Sequence, residues 1–196
     1  FKRLWKEGKV YSQVSYSFKQ VDRASAQAAI YTGTVPFKNG IVATQWLDRE
    51  TLRPVDCADD RDFIGYYTEE CTSPKNLLVS TLTDELEIAT RGASMVYAIA
   101  PHREMAVMSA GHAGDGAYWL NSETGEWAAS SYYGDCPRWL ERYNEGDGVP
   151  TRINALQWEP LLPMSSYDNP IREGAFNYGF VGNYRFRKLK ASPCMN

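Results

Sequence analysis

At 196 residues and 22.2 kDa, the chain is long enough for one ordinary domain or two very small ones. Its composition, 43% hydrophobic, 23% charged and 13% aromatic, is that of a folded soluble protein and excludes a disordered, collagenous or coiled-coil chain. The formal net charge of −3, from 21 basic and 24 acidic residues, offers no basic field for nucleic acid or anionic membrane, and no apolar run approaches the roughly 18–20 residues of a membrane span.

Phe1 to Gly8 reads as the closing turns of an amphipathic helix stopped by glycine. That start without a cap, and the stop at Asn196 without a terminating element, read as a piece cut from something longer. Val10, Val14, Tyr16 and Phe18 alternate with polar residues, which predicts a strand with one buried face. A helix follows over Ala24 to Ile30 with Asp22 as its cap, closed by the breaker cluster Thr32-Gly33-Thr34-Val35-Pro36. Asn39-Gly40 is a turn, Ile41 to Trp46 a short strand, and Asp48 to Lys75 a charged loop rich in Asp, Glu and Tyr. Pro74 to Gly92 predicts a second helical region, and Ser94 to Ala100 an almost continuous apolar run that fits a strand covered on both faces. His102 to Met108 reads as a short helix. Gly116 to Leu120 and Glu126 to Tyr133 form a hairpin about Ser122-Glu123-Thr124-Gly125. Cys136 to Tyr143 is a further helix with Pro137 in its first turn, and the remainder is irregular. Strand–helix–strand alternation with a hairpin excursion argues for an α/β fold in a single domain over 1–196.

The four cysteines, Cys57, Cys71, Cys136 and Cys194, permit two disulfides without demanding any, and no C-x-x-C pair indicates a zinc ribbon or thioredoxin-type site. Cys57 and Cys71 flank the acidic loop and could clip it shut in an oxidising compartment. Four unpaired thiols are the alternative.

Two stretches are more specific than the rest: Val21 to Gly33 running into Pro36 and Gly40-Ile41-Val42, and Ser109-Ala110-Gly111-His112-Ala113-Gly114-Asp115-Gly116-Ala117-Tyr118-Trp119. With Trp46 to Thr51, the Ser122–Trp127 hairpin, Tyr132-Tyr133-Gly134-Asp135, Pro137-Arg138-Trp139 and Ser192-Pro193, they resemble the alkaline-phosphatase superfamily. Within it, the closest likeness is to the type I phosphodiesterase/nucleotide pyrophosphatase group and its bacterial monoesterases. The resemblance covers nearly the whole chain. It implies an incomplete α/β/α sandwich, with the first strand and a C-terminal half bearing metal ligands absent. It also implies a site of two zinc ions and a Thr or Ser nucleophile at a helix start, where the positive end of the helix favours an ionised hydroxyl and phosphoryl oxygens. The Asp and His ligands of that family would lie before Phe1 and after Asn196, so no metal site is expected within this chain.

The family's positions that should be present are substituted. Counting back from Thr32-Gly33, the nucleophile slot falls on Arg23, and a polar phosphate contact falls on Thr44. Counting back from Ala110-Gly111-His112, a Lys and Arg clamp falls on His102 and Glu104, and an acid there repels a phosphate dianion. Ser25 is the weaker alternative nucleophile, against its plainer role as a capping residue. An Asp22–Arg23 ion pair at the helix start, a buried hydrogen-bonded His112 and a His102 that merely opens a helix are the favoured readings of those residues. With two histidines in the chain, ligands for an internal metal site are scarce. Trp127, Tyr132, Tyr133, Trp139 and Tyr143 suit core packing better than a sugar- or partner-binding surface. The resemblance implies an extracytoplasmic, periplasmic or envelope-associated protein. Its substituted slots point to a degenerate phosphatase acting as a scaffold or binding subunit with a protein partner. The alternative is a zinc-dependent hydrolase of phosphate mono- or diesters acting through a covalent phospho-enzyme.

Overall fold

The computed structural model describes residues 1–146. The chain divides into two compact units, one of Phe1–Leu120 with Trp127–Cys136 and one of Asn121–Glu126 with the chain from Pro137 onward.

The first unit is built on a four-stranded mixed sheet. Its strands are β3 (Gly65–Tyr66), β4 (Tyr97–Ala100), β5 (Gly116–Leu120) and β6 (Trp127–Ser130), in the order β3-β6-β5-β4. β4 and β5 run parallel, with Tyr97 opposite Gly116, and α5 (Arg103–Ala110) makes the crossover between them. A parallel pair needs such a crossover, and here the chain alternation is β4–α5–β5. β6 returns antiparallel to β5, and β3 closes the far edge against it with Gly65 opposite Ser130. A separate antiparallel ribbon pairs β1 (Gln45–Leu47) with β2 (Pro54–Asp56).

Alanines and one large aromatic ring make the core. Ala24 and Ala28 of α2 (Arg23–Thr32), Ala106, Val107, Met108 and Ala110 of α5, and Ala98, Ala117, Trp119 and Ala128 of the sheet belong to one buried cluster. Small side chains let α2 lie close against α5, and Gln27 Nε2 donates across to Ser109 Oγ at 2.6 Å. α4 (Leu82–Thr90) starts at Thr81, whose hydroxyl accepts from the Asp84 N–H while Asp84 accepts from the Thr81 N–H. That reciprocal cap satisfies two of the donors a helix start leaves over.

Several expectations are corrected. Val10 to Phe18 is not a strand: Val14 is 77% exposed and the segment has no paired neighbour among the described residues. Alternation supplies a face, but a strand also needs a partner for its backbone groups. β4 is an edge strand with Tyr97 and Ile99 open and Ala98 buried, so it is covered on one face among the described residues. The loop from Asp48 to Lys75 carries β2 and β3, and Pro74 to Ser80 precedes α4 as turns rather than helix. Cys57 and Cys71 are free thiols, so no clip joins Cys57 to Cys71. Hydrogen bonds close that loop instead, from the Asp60 N–H to the Cys71 carbonyl at 2.8 Å and from the Ser73 N–H to the Ala58 carbonyl at 3.0 Å. Burial, with the Asp56 and Glu104 charges near it, pushes the Cys57 thiol well above its ordinary range. Cys194 lies outside the described residues, as does the irregular remainder from 147 on.

The opening helix α1 (Lys2–Glu7) ends at Gly8 as its sequence predicts, with no residue buried. α3 (Pro36–Asn39) turns at Gly40 through the left-handed region. In the second unit, Gly125 and Asn121 close the turn with a 2.8 Å backbone bond. α6 (Arg138–Glu145) follows Pro137 there, with Leu140 buried.

Candidate functional site

The start of α2 is held by a tight cap. Asp22 is extended, its Oδ1 accepts from the Ser25 N–H at 2.9 Å and from the Ser25 hydroxyl at 2.8 Å, and its own N–H donates back to Ser25 Oγ. The second carboxylate oxygen accepts from the Thr44 N–H, which ties the segment after α3 to the helix start. Burial pushes the Asp22 carboxyl up, but the hydrogen bonds from Ser25 and Thr44 outweigh it and hold the group below the usual carboxylate range. Ser25 is fully buried inside this cap. Its hydroxyl is committed to Asp22 and has no path to an external substrate.

Arg23 is the first residue of α2. Its side chain, 58% exposed, places Nε 2.8 Å from Glu104 Oε1, whose side chain is 9% exposed. The anticipated Asp22–Arg23 pair is therefore replaced: one Asp22 oxygen serves the cap, the other accepts from the Thr44 N–H, and Arg23 reaches across to α5. A cation on the first turn of a helix faces the positive end of the dipole. Glu104, in the first turn of α5, suits its own helix start and offsets the charge on α2. His102 is the extended N-cap of α5, exposed, and its ring does not cap the helix. The structure thus gathers Arg23, Glu104, Asp22 and Thr44 at one place, with His102 two residues before Glu104.

Arg103 points elsewhere and is the residue that the sequence reading missed. Its side chain is 10% exposed, with Nη2 2.6 Å from Asp56, Nη1 2.7 Å from Asp59 and Nε 3.5 Å from Glu70. Burial would lower its basicity, but the charges of Glu70, Asp56 and Asp59 raise it above the ordinary arginine value. The signal lay in the acid-rich loop from Asp48 to Lys75, whose carboxylates needed a cation. In the same loop Asp60 accepts from the Ser73 hydroxyl and from Lys75 Nζ at 2.9 Å.

His112 is hydrogen-bonded at both ring nitrogens, Nδ1 to Asp84 Oδ2 at 3.1 Å and Nε2 to the Leu77 carbonyl at 3.0 Å. It is not buried as expected: its side chain is 37% exposed, at the mouth of a shallow apolar groove formed by Leu77, Leu78, Val79 and Ile88. Tyr133 is partly buried against the core cluster and Tyr132 packs edge-on against Phe63, so these rings take part in packing. Among the described residues no three His, Cys, Asp or Glu side chains converge to hold a metal ion. The oxygens of Asp22 and the ring of His112 are already occupied by protein donors and acceptors, so this donor set does not fit a metal. Among the described residues no helix is long and apolar enough to cross a membrane.

The family described as type I phosphodiesterase / nucleotide pyrophosphatase matches residues 1–181. The chain is 34% identical over 171 residues to the alkaline phosphatase PhoV of Synechococcus elongatus, covering 85% of this chain and 31% of PhoV. It is 30% identical over 188 residues to the alkaline phosphatase PafA of Elizabethkingia meningoseptica, covering 93% of this chain and 34% of PafA. The chain therefore spans about a third of the length of these relatives. The crystal structure of wild-type PafA superposes with a TM-score of 0.67 at 33% identity, over 74% of this chain and 29% of PafA. A crystal structure of a PafA variant, substituted at a Thr, an Asn, a Lys and an Arg, matches with a TM-score of 0.66.

Proposed function

The chain belongs to the type I phosphodiesterase / nucleotide pyrophosphatase family of the alkaline-phosphatase superfamily, and from that premise we propose that it is part of a catalytically degenerate phosphatase. The observation that carries this reading is the Arg23–Glu104 ion pair. In the family's chemistry, a hydroxyl at the start of α2 attacks a phosphoryl group steadied by cations from α5. Here a guanidinium takes the place of the hydroxyl, a carboxylate takes the place of a cation, and their 2.8 Å contact occupies the space between. The slot assignment draws support from the PafA variant: its substituted Thr and Asn are as far apart in sequence as Arg23 and Thr44, and its Lys and Arg as far apart as His102 and Glu104.

In this reading Arg23 has no ionisable proton to give up as a nucleophile, since guanidinium stays charged at any physiological pH. Thr44 offers its backbone N–H to Asp22, and Glu104 repels a phosphate dianion. The retained framework then serves as a scaffold or binding subunit of the cell envelope, on the extracytoplasmic side, with a protein partner. The alternative is a zinc-dependent phosphate mono- or diester hydrolase, favoured by the alkaline-phosphatase names of the relatives, with two zinc ions held by segments outside this chain.

Two measurements on the full-length gene product separate these readings. Metal content by elemental mass spectrometry, after purification without chelator, is expected to fall far short of two zinc ions per chain. Turnover of a generic aryl phosphate and of a bis-aryl phosphate diester in added zinc is expected to stay at the uncatalysed baseline. Stoichiometric zinc together with turnover would establish the hydrolase reading and remove the degenerate one.

A further inference from the structure

We infer that Arg23 and Glu104 form a neutral strap between α2 and α5, a single exchanged unit in which each charge is the other's counter-ion and which, neutral as a whole, does not bind an incoming anion. The inference rests on the reading of these positions as the phosphate-facing ones. Glu104 is 9% exposed, and a carboxylate so far removed from water is tolerated only with a partner. Its chain neighbour Arg103 cannot serve, because its guanidinium is spent on Asp56, Asp59 and Glu70. Arg23, brought across 81 residues of sequence, is the cation that does. The dependence runs both ways. Arg23 stands on the first turn of α2, which disfavours a cation, and Glu104 supplies the offsetting charge. A threonine at 23 would leave the Glu104 carboxylate without its counter-ion. An arginine at 104 would set two guanidinium groups in the place of one ion pair. The two residues are therefore stable together and costly apart, and the pair presents no net positive charge to an anion at the starts of α2 and α5.

The test is a double-mutant cycle on the full-length protein: wild type, Arg23→Thr, Glu104→Arg and the double variant, each melted with and without inorganic phosphate. Each single variant is expected to lower the Tm by roughly 2–6 °C, and the double variant by clearly less than the sum of the two losses. Losses that simply add in the double variant would overturn the strap. So would a phosphate-dependent rise in wild-type Tm that Arg23→Thr abolishes, since it would show Arg23 open to anions. If Glu104→Arg does not fold, Arg23→Gln, Glu104→Gln and their double form the same cycle with near-isosteric neutral groups, and additivity there overturns the inference equally. The phosphate arm on the Arg23→Thr/Glu104→Arg protein addresses the underlying reading separately. A phosphate-dependent rise in Tm supports the slot assignment; its absence, with the stability coupling intact, leaves the strap standing and counts against those slots.

Discussion

Asp84 shows how a single carboxylate organises its surroundings. It accepts from the N–H groups of Thr81, His112 and Ala113 at 2.7–2.8 Å and faces the His112 ring. Burial pushes its pKa up, but these hydrogen bonds outweigh burial and bring it below the ordinary 3.8. Asp22 and Asp60 are lowered in the same sense, each against a burial penalty. A carboxyl depressed in the folded state contributes stability that is fully present above its unfolded value of about 3.9 and is lost as pH falls through the folded value. Chemical denaturation between pH 7 and pH 2.5 is therefore expected to show constant stability down to about pH 5 and a progressive loss below about pH 4. In Asp84→Asn the protein should be less stable at pH 7 and the acid loss shallower; an unchanged acid slope would remove Asp84 from this account. At this scale the sequence was legible where the grammar is local. Asp22 as a cap is read from a spacing of three residues, and the structure has it. The Arg23 partner was not legible, because proximity in sequence favoured Asp22 whereas the fold delivers Glu104 from 81 residues away.

Helix ends and strand edges decide what could be read at the scale of elements. α2, α5 and the β5–β6 hairpin were visible because their caps, apolar positions and turn residues agree with one another. The Val10–Phe18 segment failed because period-two alternation says nothing about whether a neighbouring strand exists. The apolar run of β4 predicts burial on two faces, yet among the described residues it lies at the sheet edge with Tyr97 and Ile99 open. The end of α5 carries the sharpest constraint. Gly111 has φ +71°, and a Cβ there would run into the Thr81 hydroxyl and the Asp84 carboxylate, while its carbonyl accepts from the Tyr133 hydroxyl at 2.9 Å. Gly111→Ala is expected to destabilise the folded state by about 2–4 kcal/mol, from positive-φ strain and displacement of the Asp84 cap together. Equilibrium unfolding in urea measures it, and a cost below about 0.5 kcal/mol would mean that the cap relaxes without penalty.

For the molecule as a whole, the family and the mixed α/β class were accessible from sequence because the framework motifs around Gly33, Gly111 and Trp119 survive. The open face of β4 was not, since it depends on what else lies beside the sheet. The order of the strands also carries a consequence in time. β4, α5, β5 and β6 all fall within residues 97–130, whereas β3 must bring Gly65 to Ser130, and Arg103 must find Asp56 and Asp59. Closing the longer loops costs more chain entropy before any contact rewards it. The crossover and hairpin are thus expected to form the early nucleus, with the acidic loop docking onto Arg103 late. Pulsed hydrogen exchange during refolding should protect the amides of β5 before that of Ser131, which bonds the Ile64 carbonyl in the late-docking segment; simultaneous protection would argue for one concerted step. On that order, the clustered carboxylates around Arg103 spend the early part of folding in water, where their mutual repulsion keeps the unfinished chain from sticking to its neighbours.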